Sequence, residues 1–433
     1  MKTLLYLLFI FGLYFKYIEF ARIRLNIYII ILFLALMVLP LRALIKTYTS
    51  PEKLKLRLPH IFLLLISVLA LFQCFFLQRT PNFSVTLIFL SASVIFLVTV
   101  ESLHAGRIDV NSIFKLLLTM SLCSTVFVIL QTQISPVFDV APHLNRLGLA
   151  TIYRAERVQA LVGVRGRGLG ITITDYAMHN FIAFFFALFM LLKCQSYRKM
   201  KYFVVFAVLC AGIIISNTAS VFCAIAAAFV VWFLEKVSRW KLVSFSNLLF
   251  IFMVACIVIC IFFPFFSQAT RYGEDITSSS VASRLYMWSV AVSMFLENPL
   301  AGIGLGAFPQ NAHIYLPHFF VKGNYSGISA HSMYFDMLAG GGIVGLTLFL
   351  GFLITVGIRA RNNAKYTDSL EDKILYLAFI AHIVMGLFVD IHIFAFDLYF
   401  IGALIQYRYE LLKNEIPVKS IAKAPCFLIQ QPA

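Results

Sequence analysis

Charge is scarce in this chain. Charged residues make up 12% of its 433 positions, against 61% hydrophobic residues that include 45 Phe. Apolar stretches of about 18 or more residues recur along the whole length, and no soluble fold keeps that balance. No linker or composition shift marks off a soluble module, and no internal repeat is visible. Residues 1–433 therefore read as a single integral membrane domain. The first apolar stretch lacks a small-residue cleavage site and runs on into Phe15, Lys16 and Tyr17, the pattern of an anchor rather than a removed signal peptide. The 8 Cys show no metal-ligand spacing. Cys256 and Cys260 stand one helical turn apart within a span and read as small apolar packing, and no disulfide is expected.

What is present is a series of spans. Hydropathy places about twelve, at 3–20, 25–45, 60–78, 84–100, 112–132, 171–192, 202–217, 218–234, 245–266, 332–358, 374–392 and 394–411. The net charge of +16 comes from 35 Lys and Arg against 19 Asp and Glu. With the N-terminus inside, 23 of the 35 cations fall on inner segments. The positive-inside rule then puts both termini in the cytoplasm and turns the long loop 267–331, between spans 9 and 10, to the outside.

The remaining cations are concentrated where the rule disfavours them. Arg146, Arg154, Arg157, Arg165 and Arg167 crowd the loop before the sixth span, with no Lys between 133 and 170. Arg271, Arg284 and Lys322 lie in the long loop. Arginine binds phosphate with a two-pronged fork and keeps its charge. An Arg-rich outer loop therefore suggests an anionic ligand, with lipid head-group contact or plain solvation as the alternatives.

Three segments stand out on that face. Val164-Arg165-Gly166-Arg167-Gly168-Leu169-Gly170 runs into a span that opens Thr172-Ile173-Thr174-Asp175. Glycine allows close backbone approach there, and the helix start offers free N–H groups, so Arg167 borders a natural anion site or else a simple turn. Ser280-Val281-Ala282-Ser283-Arg284 reads as a helix start capped by Ser280 or Ser283. The following helix, Leu285 to Leu296, is too short to span, and Asn298-Pro299 stops it. Gly302, Gly304 and Gly306 then make a tight connection that is no dinucleotide fingerprint. Ser329-Ala330-His331-Ser332 opens the tenth span, which soon reaches Gly340-Gly341-Gly342. His331 reads either as an interfacial hydrogen-bonder or as a general base, since a helix start beside Arg favours the neutral imidazole a base needs. The Gly triplet reads as a close-packing device.

The pattern Arg284-Leu285-x-x-Trp288, then Glu297-Asn298-Pro299-Leu300-x-Gly302-x-Gly304-x-Gly306-x-Phe308, then Ala330-His331-Ser332-x-Tyr334 and a Gly-rich span resembles the bacterial O-antigen ligase and O-antigen polymerase superfamily. The resemblance implies an all-α polytopic membrane fold of GT-C type, with the loop 267–331 catalytic and facing the periplasm of the inner membrane. It implies a metal-independent, inverting glycosyltransferase that needs no cofactor. The donor would be a glycan on undecaprenyl pyrophosphate, and the acceptor lipid A–core or another glycan. Carried over by motif, His331 would take the acceptor's proton, while Arg284 and Arg167 would neutralise charge on the leaving pyrophosphate. Arg165, Arg157 and Arg154 would bind substrate. Partners would be these substrates and membrane lipids, with no nucleic acid. No Asp-x-Asp pair is present to hold a metal–nucleotide sugar.

Ligase is the expectation, with a repeat-unit polymerase of the same superfamily as the alternative. A lipid-linked oligosaccharide flippase is the alternative from another class. The nearly charge-free spans and the gathering of cations at one face favour surface chemistry over a transport path. Asp390 and Asp397, flanking the last outer turn, read as boundary polar groups.

Overall fold

The computed structural model describes residues 17–20, 23–26, 57–76, 83–104, 106, 109–130, 173–194, 196–216, 219–238, 280–315, 329–367, 369–389 and 391–415. The expected span 245–266 lies outside these residues, as do Arg154, Arg157, Arg165 and Arg167. The first two expected spans are described only at their facing ends, which differ from the expectation. There β1 (Tyr17–Phe20) pairs antiparallel with β2 (Ile23–Asn26), with Glu19 opposite Arg24 in register. The Tyr-Ile-Glu-Phe alternation and the β-branched residues on both sides suit a pleated ribbon better than a helix.

Each of the nine other expected spans contains a helix among its described residues. These helices are α1 (Leu58–Phe76), α2 (Phe83–His104), α3 (Val110–Ile129), α4 (Ile173–Lys193), α5 (Ser196–Ser216), α6 (Ala219–Ser238), α9 (Met333–Tyr366), α10 (Leu370–Met385) and α11 (Ile391–Glu415). Two helices of the long loop lie between them, α7 (Ser280–Glu297) and α8 (Phe308–Tyr315). Among the described residues, four stretches are long and apolar enough to cross a membrane: Leu58–Phe76, Leu87–His104, Val110–Ile129 and Met333–Tyr366.

The bundle has two interlocked groups. In one, α9 packs on α1, α10 and α11, and α11 on α2; in the other, α4 packs on α3, α5 and α10. The second group is filled by aromatic rings. Phe181, Phe184, Phe185 and Phe186 of α4 are buried, and Phe186 meets Phe114 of α3 edge-on with 5.8 Å between centroids. Small residues set the close crossings. A Cβ on Gly351 of α9 would lie 2.7 Å from the Phe62 ring of α1, the close approach that glycine permits between membrane helices.

The two ends of the bundle differ in chemistry. At one end, Arg57 bonds Glu101 at 2.8 Å and also pairs with Glu410, which His104 reaches at 2.7 Å. Nearby, Arg361 pairs with Glu235 at 2.7 Å and Arg408 with Asp372 at 2.8 Å. These bridges tie the termini of α1, α2, α6, α9, α10 and α11 together. Because Arg57 and Asp372 are largely withdrawn from solvent, removing one partner would strand a desolvated charge.

The opposite end is held by backbone rather than by charge. After Asn298-Pro299 stops α7, Gly302, Gly304 and Gly306 all take positive φ, and the chain lies flat against the start of α9. The Ile303 and Gly304 amides donate to the Ala339 and Gly340 carbonyls, both at 2.9 Å, and the Ile343 amide donates to Pro299 at 2.9 Å. Gly342, at φ +61, breaks the helical dihedrals inside α9 and opens it for this pairing. Gln73 of α1 clamps the result. Its Nε2 donates to the carbonyls of Ala301 and of Gly340 (2.9 Å), and its Oε1 accepts the Leu305 amide at 3.0 Å. The Gly triplet thus serves close packing, as its composition implies.

Candidate functional site

The site is built from the start of α9, the start of α7 and the turn between α10 and α11. Ser329, Ala330, Ser332 and Met333 are all buried, whereas His331 between them is exposed. The backbone is clamped on both sides and the imidazole projects outward. Among the described residues, His331 is the one non-glycine with positive φ, at 50°. Such a conformation is held at a cost and clusters at functional sites. The Ser329 hydroxyl meets His331 Nδ1 at 3.2 Å and fixes the orientation of the ring.

The clamp on the C-terminal side is the turn after α10. The Met333 amide donates to the Gly386 carbonyl at 2.9 Å, and the Ser332 hydroxyl points to the same oxygen at 3.5 Å. Tyr334 donates its hydroxyl to the Ile383 carbonyl at 3.0 Å. Two residues beyond Gly386, the Phe388 ring lies under the Arg284 guanidinium, 5.8 Å from its carbon to the ring centroid, in the range of a cation–π contact. Arg284 and the His331 segment therefore meet the same short turn.

The packing of α7 on α9 supports this convergence. Trp288 stacks on Phe335 with centroids 5.0 Å apart and planes 16° from parallel. Further along, Pro299 meets Ile343, so the two helices run in the same direction. Arg284 precedes Trp288 by one helical turn, and His331 precedes Phe335 by the same number of residues. Both thus lie at the same end of the α7–α9 contact. The apolar stripe Met287, Val290, Ala291 and Met294 is buried with Phe308, Ala312 and Ala339 and holds α7 in place. Helix α7 begins at Ser280, so Ser283 is inside it and Arg284 sits in its second turn. Tyr315 of α8 donates to Glu297 at the end of α7. Partial burial and that carboxylate push the Tyr315 phenol up to about 12.

The structure therefore places Arg284 and the His331 segment, the two expected catalytic positions it describes, against the same turn. Arg167, with Arg165, Arg157 and Arg154, lies outside the described residues, so it is not located relative to them.

Residues 179–350 match the O-antigen ligase family model. This segment is similar to an O-antigen ligase domain. The match supports the O-antigen ligase and polymerase superfamily, whose members are glycosyltransferase-like enzymes of bacterial membranes. The matched segment runs from within α4 into α9, so it contains Arg284, the Gly-rich latch and His331. No curated protein matches the chain.

Immediately beneath this domain's site lies a polar cluster that sequence reasoning missed. Asp397 of α11, read from the sequence as a boundary group, is 7% exposed and sits inside the bundle. Its Oδ1 meets Nδ1 of His179 from α4 at 2.9 Å. His382 of α10 completes the group, its Nδ1–H donating to the Ala378 carbonyl at 2.7 Å. The three border one small cavity walled by Leu117, Ile182 and Phe400. Their positions, 179, 382 and 397, are too far apart in sequence to read as one motif. Among the described residues, no three His, Cys, Asp or Glu side chains are grouped as a metal ion would require.

Proposed function

We propose that this protein is an O-antigen ligase, moving a glycan from undecaprenyl pyrophosphate to lipid A–core at the periplasmic face of the inner membrane. The observation that carries the reading is the convergence of Arg284 and His331 on the Gly386–Phe388 turn, within and beside the O-antigen ligase domain. The whole chain acts as one membrane domain with both termini in the cytoplasm, and the segment 267–331 is its catalytic loop.

In this reading the exposed His331 imidazole takes the proton from an acceptor hydroxyl. The freed oxygen attacks the anomeric carbon of the donor from the side opposite the pyrophosphate, so the sugar centre inverts. The bond to the pyrophosphate oxygen breaks in the same step. Arg284 faces the developing negative charge on that leaving group, with Arg167 as its counterpart from the preceding loop, and Arg165, Arg157 and Arg154 bind substrate phosphate. Fixed guanidinium charge at the point where negative charge develops supplies the larger part of such an acceleration. The step uses protein side chains alone, in keeping with the superfamily resemblance and the missing Asp-x-Asp pair.

The test is the envelope glycan profile of a strain deleted for this chain, compared with strains carrying wild type or His331→Ala. Loss of long glycan from lipid A–core, with lipid-linked polymer accumulating, is the expected result. A single repeat unit still attached to core assigns the polymerase reaction instead. An unchanged profile overturns the reading.

A further inference from the structure

Asp397, His179 and His382 have no part in the transfer chemistry above, yet they occupy the interior of a hydrocarbon-rich bundle. Ionisable groups buried in such a setting are costly unless paired, and apolar residues of similar volume would hold the helices more cheaply. The cluster lies where α4 and α11 begin and α10 ends, at the same end of the bundle as the candidate site. His179 pairs with Asp397 at 2.9 Å across α4 and α11. His382 ties α10 to the same place, its ring meeting Phe181 of α4 edge-on with centroids 5.1 Å apart.

One helical turn above His382 is Gly386, whose amide donates to the His382 carbonyl at 2.9 Å. The Gly386 carbonyl receives the Met333 amide, and Phe388 lies under Arg284. A continuous set of contacts thus joins the buried cluster to both site residues. A shift of the α4, α10 and α11 ends would move the turn, and the turn would carry the His331 segment and the Arg284 side chain with it.

We propose that the His179–Asp397 pair, together with His382, is a positioning centre that fixes the Gly386–Val389 turn and through it the placement of His331 relative to Arg284. None of the three touches the reacting atoms. The inference rests on reading Arg284 and His331 as the transfer site, and its test separates the two.

The full-length protein, purified in detergent, is compared as wild type, Asp397→Asn and His179→Gln. Asn keeps the shape of the Asp side chain and removes its charge, and Gln at 179 provides a second route if the first variant fails to fold. Hydrogen exchange is read at 331–337, next to the Gly386 contact, and at 357–367 at the ion-paired end. Transfer from a lipid-linked glycan is read as kcat and KM. The expected result is faster exchange at 331–337 alone, with kcat down about 10- to 100-fold at unchanged KM, the size of loss that a misplacement of about 1 Å produces. Unchanged exchange at 331–337, exchange raised equally at both ends, or local exchange with wild-type kcat each overturns the positioning role. If the wild type transfers nothing, the ligase reading fails. Exchange confined to 331–337 would then still support the link from the cluster to the turn.

Discussion

The amide of Met333 donates to the carbonyl of Gly386 at 2.9 Å, joining two segments more than fifty residues apart. Through this bond the start of α9 takes its position from the turn that also carries Phe388 under Arg284. A Cβ at 386 would fall 2.2 Å from the Met333 side chain, so only glycine permits the approach without displacing it. The proposed base and the proposed charge stabiliser are thereby referred to one element.

Arg284 tests whether geometry or charge matters at the candidate site. Arg284→Ala should lower transfer about 100- to 1000-fold, the usual loss when a preorganised charge donor is removed. Arg284→Lys keeps the charge but loses the fork and the flat stacking surface over Phe388, and should also lose most activity. Initial rates with purified protein check both, and near-normal activity in the lysine variant would reduce Arg284 to a point charge.

His331 should show a conflict between stability and activity. Its φ of 50° costs an ordinary residue about 1–2 kcal/mol, which glycine escapes in part. His331→Gly should therefore melt no lower than wild type in detergent while losing transfer. A variant that melts markedly lower would show that the imidazole holds the fold rather than performs chemistry.

The glycine latch should be intolerant of a single methyl group. A Cβ on Gly302 would lie 2.4 Å from the Gly340 oxygen, and one on Gly342 would lie 2.4 Å from the Leu300 oxygen. Both obstacles are backbone atoms, and both glycines have positive φ. Gly302→Ala and Gly342→Ala should each lower the melting temperature and the activity together. Gln73→Leu should do the same, since it removes the hydrogen bonds that Gln73 makes to the Leu305 amide and to the Ala301 and Gly340 carbonyls, at about 1 kcal/mol each. Thermal melts of the three variants check this, and wild-type melting in all of them would contradict the latch.

Asp109 provides a pH test far from the site. It caps α3, accepting the Asn111 amide at 2.7 Å and the Ser112 hydroxyl at 2.6 Å. The Ser112 hydroxyl and the two backbone amides hold its carboxyl below the usual carboxylate range, against an opposing contribution from burial. A depressed folded-state pKa gives stability that is present above the unfolded pKa and lost as pH falls through the folded one. Asp109→Ala should thus cost about 1 kcal/mol or less near neutrality, and the difference from wild type should close in acid. Melting midpoints across that range check it, and a gap that widens as pH falls would contradict the sign.

Long apolar runs and helix breakers made much of this fold legible in sequence. Each described span from 60 onward contains a helix, although the one expected at 374–392 breaks at the Gly386–Val389 turn; Asn298-Pro299 ends α7, and the Gly triplet packs closely. Arg284 and His331, the proposed site residues, stand out in the sequence through an ordered motif. What escaped has local or long-range causes. The facing ends of the first two expected spans adjoin long apolar runs, but the alternation in Tyr17–Phe20 and Ile23–Asn26 favours paired strands. The strained φ of His331 is imposed by buried neighbours, which no local pattern reveals. Gly386 lies within an apolar run, with nothing to mark it as the partner of Met333. Asp397 looked like a boundary acid because its partner, His179, is 218 residues away.

The most direct measurement is transfer of a glycan from an undecaprenyl pyrophosphate donor to lipid A–core by the purified, full-length protein, with His331→Ala beside it. Transfer by the wild type, lost by about 100-fold or more in the variant as expected for a general base, is the predicted result. Equal transfer by both proteins, or none by a folded wild type, would contradict the account.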